Sequence, residues 1–213
     1  MIFVKVQKIN RDILRAQYDR LFMQLAPARR MHVMQIKNQK AAEDSLAAGL
    51  LLQKVLAEVC NMSPEETVCL YGQNGKPYID HCPDFHFNLS HSGDYVAIAY
   101  GDMELGMDLE VVRDYRPEIL KRFCSENERK FVECAIQADR SANFFTLWTM
   151  KECYVKYTGE GLSKDFRAFE IDFESQRIKN TNENLWTIKK DDMVVSVCAK
   201  DVSRVKFEIV YRG

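Results

Sequence analysis

Residues 105–111 have the sequence Leu-Gly-Met-Asp-Leu-Glu-Val, in which apolar side chains alternate with glycine and two acids. A period of two residues is typical of a β-strand with one apolar face. The same period places Asp108 and Glu110 together on the other face. Two carboxylates held this close repel each other unless a cation lies between them, and Mg²⁺ commonly binds one or two carboxylates with phosphate oxygens and water. An edge strand with a solvated acidic face has the same pattern, and the spacing alone favours that simpler interpretation.

The composition of the chain limits its class. It has 213 residues, of which 46% are hydrophobic and 11% aromatic, enough for one large or two small globular domains. The net charge of −1 lacks the excess of basic residues typical of nucleic-acid-binding proteins. No apolar run approaches the roughly 20 residues of a membrane span. The N-terminal residues do not resemble a signal peptide, and the seven cysteines are scattered without a CxxC pair. We therefore expect a cytoplasmic protein that binds neither nucleic acid nor membranes.

Turn signals and periodicity divide the chain into the elements of an α+β protein, without a βαβ series. Strands are predicted over residues 1–8, 95–100, 105–111, 169–173, 186–190, 193–199 and 206–211. Helices are predicted through Leu14 and Phe22, over residues 41–59, from Ser63, and in three segments that begin near Pro117, Ser125 and Ser141. The strands at 95–100 and 105–111 are separated by a short turn, so we expect them to form a hairpin.

A second group of polar residues lies on the last predicted helix. Trp148, Glu152 and Lys156 follow one another at intervals of four residues and therefore share one face. Most Glu–Lys pairs at this spacing are ordinary surface ion pairs. This helix, however, is apolar on most sides, and burying an aligned Glu and Lys costs stability unless the pair has a task. Glu152 can supply a third carboxylate to a metal ion at Asp108 and Glu110, while Lys156 neutralises phosphate.

A third group comprises residues 88–92, with the sequence Asn-Leu-Ser-His-Ser. Ser90 and His91 offer hydroxyl, imidazole and backbone donors to an anion from a predicted polar turn. They are neighbours that point in opposite directions, which argues against a catalytic Ser–His pair. Lys76 lies on a stiff Gly-Lys-Pro turn, and a basic set is formed by Arg29, Arg30, Lys37 and Lys40. For each of these groups, taken alone, a structural or solvated role is the simpler interpretation.

The order of these groups along the chain is more specific than any one of them. A G-x-D motif ends at Asp108, the sequence W-x-x-K-E-x-x-x-K begins at Trp148, and 43 residues lie between Asp108 and Glu152. This arrangement resembles the signature of the 4′-phosphopantetheinyl transferases, particularly the larger type that activates surfactin synthetase and related carrier proteins. The resemblance implies two similar α/β halves related by a pseudo-twofold axis, with coenzyme A between them. The N-terminal half would be residues 1–102, and residues 103–213 would carry the metal-binding and catalytic motifs.

The resemblance also implies the chemistry. Coenzyme A is the co-substrate, and a serine hydroxyl of an apo acyl or peptidyl carrier protein attacks the phosphorus bearing pantetheine, which releases adenosine 3′,5′-bisphosphate. Asp108, Glu110 and Glu152 would hold Mg²⁺ or Mn²⁺ at the pyrophosphate. Phosphoryl transfer requires mainly charge neutralisation and alignment from the protein. The catalytic residues would be Lys156 and Glu152, the latter as base or only as metal ligand. We expect a monomer, in effect a pseudo-dimer within one chain.

Binding of coenzyme A is assigned by the resemblance to Lys76, Ser90, His91, Lys151 and Lys156. The first three would bind the nucleotide end, including its 3′-phosphate, and the two helix lysines would contact the other phosphates. The chain departs from the family pattern in one stretch, where Asp44 and Ser45 occupy positions at which an arginine or lysine for coenzyme A is usual. Which member of the basic set replaces that residue stays open, as does the carrier-docking surface.

Two other functions remain open. A metal-dependent phosphohydrolase could use the same three carboxylates on coenzyme A-like substrates, and it would release phosphopantetheine into water without a carrier protein. A non-enzymatic module could bind coenzyme A or a carrier protein. A module that only binds has no need of three carboxylates and a lysine in this arrangement.

Overall fold

The structure is a computed structural model that describes residues 1–72, 75–161 and 165–210. The described residues form two compact units, one made of residues 2–103 with the last strand of the chain and the other of residues 104–205. Each unit combines a sheet of four or five strands with helices, which confirms the α+β class. In the part of the chain that the structure describes, no helix is both long and apolar enough to cross a bilayer.

The sheet of the first unit has four strands in the order β11-β1-β5-β4. They are β1 (Ile2–Lys8), β4 (His86–Ser92), β5 (Tyr95–Gly101) and β11 (Val205–Val210). β4 and β5 form an antiparallel hairpin that turns at Gly93 and Asp94. Gly93 has a φ of 59°, a left-handed conformation that costs glycine no steric strain. The strand predicted over residues 1–8 is confirmed, whereas the return of β11 to this sheet is not evident from the sequence.

Four helices lie in the described part of the first unit. They are α1 (Arg11–Ala16), α2 (Tyr18–Met23), α3 (Pro27–Gln35) and α4 (Gln39–Val59). α4 packs its apolar side chains against the sheet and confirms the helix predicted over residues 41–59. Asn38 caps it by accepting a hydrogen bond from the Ala41 N–H at 2.9 Å. The single helix predicted through Leu14 and Phe22 is wrong, because the chain leaves the helical conformation at Gln17.

The segment from Ser63 to Glu66 is a turn, so the helix predicted to start there is wrong. The segment nevertheless makes the hydrogen bonds of a helix start. The Ser63 N–H donates to Glu66 Oε2 at 2.8 Å, and the Glu66 N–H donates to Ser63 Oγ at 3.4 Å. The chain then turns into two short paired strands, β2 (Cys69–Tyr71) and β3 (Pro77–Ile79).

The sheet of the second unit has five strands in the order β6-β10-β9-β8-β7. They are β6 (Leu105–Val111), β7 (Ile171–Asp172), β8 (Arg177–Ile178), β9 (Asn184–Lys190) and β10 (Met193–Ala199). β10 is buried along its whole length between β6 and β9. Because β6 pairs with β10, the hairpin predicted between residues 95–100 and 105–111 is wrong. Both edges of β5 are already occupied by β1 and β4.

Among the described residues, three α-helices follow β6, namely α5 (Pro117–Phe123), α6 (Glu126–Glu133) and α7 (Arg140–Thr158). The capping box predicted at the start of α6 is confirmed, with Ser125 Oγ and the Glu128 carboxylate each accepting a backbone N–H. α7 begins one residue before Ser141 and ends at Thr158, and the following residue, Gly159, caps it with a φ of 73°. This helix packs against both β6 and β10 and thus faces the acidic strand.

Candidate active site

Strand β6 carries two of the predicted metal ligands, Asp108 and Glu110. Asp108 lies opposite Ser196 of β10 and Glu110 lies two residues further along the same face. Asp108 is buried, whereas 19% of the Glu110 side chain is exposed. The predicted alternation holds and β6 is an edge strand of its sheet, but its acidic face is not fully solvated. It is covered at its start, because α7 packs on that side of the strand.

Gly106 allows this close packing. A Cβ atom at Gly106 would lie 2.1 Å from the carbonyl oxygen of Cys153 and 2.3 Å from the backbone nitrogen of Tyr157. Both atoms belong to the turn of α7 that carries Glu152 and Lys156. Only glycine lets the strand backbone approach the helix backbone this closely. The glycine of the G-x-D motif therefore sets the distance between the acidic strand and helix α7.

Lys156 and Asp108 form the central contact of the site. Lys156 Nζ donates to Asp108 Oδ1 at 2.7 Å, with 28% of the lysine side chain and 7% of the aspartate side chain exposed. A charge-assisted hydrogen bond of this length is among the stronger polar contacts in proteins. The structure thus brings together two site residues that are 48 positions apart in the sequence.

Glu152 lies in the field of the same charges. Burial raises the pKa of Glu152 above its ordinary value, the charges of Asp108 and Glu110 raise it further, and the charge of Lys156 lowers it. A carboxylate with a raised pKa is a better proton acceptor when ionised. Asp108, Glu110, Glu152 and Lys156 therefore act on one another electrostatically, as the sequence spacing predicts.

The three carboxylates suit a hard divalent cation in their chemistry, because all of their donors are oxygen atoms. Within residues 1–72, 75–161 and 165–210, no three His, Cys, Asp or Glu side chains converge closely enough to form a ready-made metal cluster. Positively charged side chains of the protein pair with two of the three carboxylates instead. Lys156 bonds to Asp108, and Arg113 Nη1 donates to Glu110 Oε2 at 2.9 Å. Binding of a metal ion would exchange these partners.

Lys151 requires a correction. Its side chain is completely buried and points away from the acidic strand into the core of its unit. The ammonium group lies 2.8 Å from Glu128 Oε1 and donates to the carbonyl oxygens of Phe166 at 2.7 Å and Phe169 at 2.9 Å. A lysine has three N–H donors, and all three are used. A contact between Lys151 and the phosphates is therefore wrong, and this residue stabilises the fold.

The predicted nucleotide-binding residues lie in the first unit. Ser90 and His91 belong to strand β4, so they do not sit in a turn; the turn follows at Gly93. Their side chains alternate as expected, with Ser90 buried and 51% of the His91 side chain exposed. Lys76 is partly exposed directly before β3, and its carbonyl oxygen accepts a hydrogen bond from the Gly72 N–H at 2.9 Å.

Members of the basic set have different surroundings. Lys40 Nζ donates to Asp44 Oδ2 and to the Gly93 carbonyl oxygen, both at 2.9 Å. Arg29 Nη2 donates to the Ser45 carbonyl oxygen at 2.9 Å, and burial lowers the pKa of this guanidinium. Arg29 also lines a cavity of about 390 Å³ together with Pro77 and Leu89. Pro77 follows Lys76 in the sequence, and Leu89 precedes Ser90. Arg30 and Lys37 lie outside this cavity lining.

A second cavity, of about 290 Å³, opens beside the acidic strand. It lies within the second unit, and it is lined by Glu110, Arg113, Tyr115, Phe144, Phe145 and Trp148 together with residues of the loop before α5. Arg113 is not among the predicted site residues. It pairs with Glu110 and lies over the ring of Phe145 at 4.7 Å. Its position, three residues after the second acid of the strand, is the signal that could have identified it.

Family models match both parts of the chain. The model described as 4′-phosphopantetheinyl transferase superfamily matches residues 104–198. The model described as 4′-phosphopantetheinyl transferase, N-terminal, matches residues 13–102. The two matches together span the acidic strand, the α7 motif and the β4 segment.

Individual proteins show the same similarity. The chain is 33% identical over 172 residues to the 4′-phosphopantetheinyl transferase gsp of Aneurinibacillus migulanus, covering 81% of this chain and 70% of that protein. It is 35% identical over 128 residues to psf-1 of Bacillus pumilus, covering 60% and 55%. It is 28% identical over 163 residues to Sfp of Bacillus subtilis strain 168, covering 76% and 73%. The relatives psf-1 and Sfp are also named 4′-phosphopantetheinyl transferases.

Proposed function

The chain belongs to the 4′-phosphopantetheinyl transferase superfamily, and we propose that it transfers the 4′-phosphopantetheine group of coenzyme A to a serine of an apo carrier protein. The acceptor is an acyl or peptidyl carrier protein, and the second product is adenosine 3′,5′-bisphosphate. The successive matches of the two family models support a boundary between two halves near residue 103. The expected C-terminal half of residues 103–213 needs one correction, because strand β11 pairs with β1 and belongs to the first unit.

One observation carries this proposal beyond family membership. Lys156 and Asp108 meet at 2.7 Å, and Glu152 lies within the field of Asp108 and Glu110. A helix and a strand distant in sequence thus bring Lys156 into contact with Asp108 and place Glu152 within electrostatic reach of Asp108 and Glu110. Asp108, Glu110 and Glu152 would hold Mg²⁺ or Mn²⁺ there, as their oxygen donors favour. When bound, that ion supplies charge neutralisation at the pyrophosphate.

Lys156 and Glu152 have different roles in the transfer step. Lys156 exchanges Asp108 for a phosphate oxygen and so reduces the negative charge that the attacking serine must approach. Glu152 accepts the serine proton, a role that its raised pKa favours. The serine Oγ attacks the phosphorus that bears pantetheine, and the bond from that phosphorus to the bridging oxygen breaks. The electron pair leaves with adenosine 3′,5′-bisphosphate.

The nucleotide end of coenzyme A binds at Lys76, Ser90 and His91. From the basic set we add Arg29, because it lines the cavity that Pro77 and Leu89 also line. The pantetheine arm suits the aromatic cavity beside Glu110, where Phe145 and Trp148 provide apolar walls.

Cellular setting and assembly are the last parts of the proposal. All seven cysteines lie among the described residues and none forms a disulfide, which supports a reducing compartment, the cytoplasm. Both family models match within one chain, which supports a monomer. The substrates are then coenzyme A and a carrier protein, without nucleic acid or a membrane.

The direct experiment incubates the purified protein with coenzyme A, Mg²⁺ and a panel of apo carrier proteins. Mass spectrometry should detect a covalent gain of one phosphopantetheine on a carrier protein. A carrier protein whose acceptor serine is replaced by alanine is the control and should gain nothing. Release of free phosphopantetheine without any modified carrier would instead identify a metal-dependent phosphohydrolase. If no carrier protein of the panel is modified and no free phosphopantetheine is released, the proposed transferase activity is contradicted.

A further inference from the structure

The thiols of Cys60 and Cys82 lie in contact within the first unit. Their sulfur atoms are 2.8 Å apart, although the two residues are 22 positions apart in the sequence. Cys60 directly follows α4 as its C-cap, and Cys82 lies between β3 and β4. Both side chains are partly exposed and pack against the apolar core of this unit. The fold therefore brings two thiols together at a place that a small molecule can reach.

Backbone hydrogen bonds hold both residues in position. The Cys60 N–H donates to the Leu56 carbonyl oxygen at 2.9 Å. The Cys82 N–H donates to the Ile79 carbonyl oxygen at 3.4 Å, and the Cys82 carbonyl oxygen accepts from the Phe85 N–H at 3.0 Å. An S–S bond is about 2.05 Å long, so the two sulfurs need to approach by less than about 1 Å to form one. Small rotations of the two side chains provide this approach while the backbone keeps its place.

We propose that Cys60 and Cys82 form a reversible disulfide when a small-molecule disulfide acts as oxidant, and that this bond stabilises the first unit without loss of the protein's activity. The closed loop covers residues 60–82 and contains β2 and β3. Tyr71 and Pro77 of this loop line the cavity of about 390 Å³. Oxidation therefore ties one wall of that cavity to the end of α4. A reducing compartment keeps the pair as thiols, so the bond forms only under oxidising conditions.

The reaction balances in two thiol–disulfide exchanges. Burial and the hydrogen bond with Cys82 raise the pKa of the Cys60 thiol to about 12, so Cys60 reacts slowly with an external reagent. The Cys82 thiolate therefore attacks the small-molecule disulfide first, which forms a mixed disulfide and expels one small thiol. Cys60 then loses its proton and attacks the Cys82 sulfur, which expels the second small thiol. The protein loses two electrons, and the two cysteine protons are balanced by those taken up by the small thiols.

The closing step and its selectivity follow from the positions of the thiols. Contact between the two sulfurs offsets the low thiolate fraction of Cys60, because the second exchange is intramolecular. Cys153 and Cys198 of the second unit also interact through their thiols. Both are completely buried, so the reagent does not reach them in the folded protein. Of these two pairs, the one in the first unit is therefore the one that oxidises.

The test treats the full chain with oxidised glutathione, a small-molecule disulfide, and then blocks the remaining thiols with N-ethylmaleimide. Proteolysis after glutamate and tyrosine places Cys60, Cys69 and Cys82 in separate peptides. Mass spectrometry should find the Cys60 peptide joined to the Cys82 peptide, and dithiothreitol should separate them. Oxidation should raise Tm by about 5–10 °C in the wild type and leave Tm unchanged in Cys60→Ser and Cys82→Ser. Cys134→Ser is the matched control, because it removes an exposed thiol and keeps the pair, so its Tm should rise as in the wild type.

Several results would overturn the inference: no reaction, a glutathione adduct that persists on Cys60 or Cys82, or a bond from either of them to Cys69. A Tm rise that Cys60→Ser retains would also overturn it. The oxidised protein should modify a carrier protein with kcat/KM within about threefold of the reduced protein. A loss of more than about tenfold that dithiothreitol reverses would contradict a bond that leaves the backbone in place. If neither form modifies any carrier protein, the proposed function is wrong, and the peptide map and Tm still decide about the disulfide.

Discussion

Replacing Gly106 with alanine should remove most of the activity without changing a charged residue. The new Cβ would lie 2.1 Å from the Cys153 carbonyl oxygen and 2.3 Å from the Tyr157 nitrogen. Both are backbone atoms of α7, so no side-chain rotation can relieve the overlap. Strand β6 and helix α7 must move apart, and Asp108 moves with the strand.

The structure sets the size of this effect. Non-bonded heavy atoms pack at about 3.5 Å, so a displacement of about 1 Å or more is needed. Overpacking of a core costs about 1–3 kcal/mol, and a clash with several backbone atoms of α7 places Gly106→Ala at about 3 kcal/mol or above. The same displacement would break the 2.7 Å contact between Lys156 and Asp108. Misplacement of catalytic groups by about 1 Å can cost about 10²-fold in rate.

Two measurements test this expectation: Tm by circular dichroism and kcat by carrier-protein mass gain. Tm should fall by about 6–12 °C for a loss of about 3 kcal/mol. Gly72→Ala is the matched control, because a Cβ there would meet only the Lys76 carbonyl oxygen at 3.6 Å, an ordinary contact. Its stability should stay within about 0.5 kcal/mol of the wild type. A Gly106→Ala protein with wild-type Tm and turnover would refute the reasoning.

Three further substitutions test single side chains. Asp108→Ala should nearly abolish transfer, because a metal ion loses a ligand and Lys156 its partner; near-normal turnover at ordinary Mg²⁺ concentrations would exclude the metal assignment. Glu152→Gln keeps one oxygen ligand but cannot accept a proton, so kcat should fall by about 10²–10⁴, with a smaller change in coenzyme A affinity. Weak binding with unchanged kcat at saturation would make Glu152 a ligand only. Lys151→Met leaves the buried charge of Glu128 without its cation and should lower the free energy of unfolding by about 3–5 kcal/mol in denaturant melts; a loss below about 1 kcal/mol would contradict a buried pair.

Local patterns were sufficient to predict most of the individual elements. The alternation of residues 105–111 gave β6, and the Ser125 capping box gave the start of α6, because both signals depend on neighbouring residues only. Strand pairing depends on competition between distant segments. β5 lies next to β6 in sequence but pairs with β1 and β4, and no short-range signal reports that both of its edges are taken. The Ser63 turn shows the converse, since helix-start hydrogen bonds formed without a helix.

The candidate site was predicted to a similar extent. Asp108, Glu110, Glu152 and Lys156 were identified from spacing, and the structure brings them within electrostatic reach of one another. Lys151 was misassigned although helix geometry argues against its role. Adjacent residues on an α-helix do not face each other, so a lysine next to Glu152 cannot share its site. The spacing that grouped Glu152 with Lys156 also separates Lys151 from both.

The ion pairs that Lys156 and Arg113 form with the acidic residues were not predicted, and they decide how the site behaves without substrate. Asp108 and Glu110 repel each other on one strand face, and in the folded chain Lys156 and Arg113 compensate them. A pair such as Lys156–Asp108 offsets that repulsion before any substrate arrives, yet 28% of the lysine stays exposed and accessible to a phosphate. On the proposed function, a substrate and a metal ion would therefore replace existing ion pairs and would not fill an uncompensated acidic pocket. Affinity at this site reflects the difference between two sets of ion pairs, which is smaller than the strength of either set.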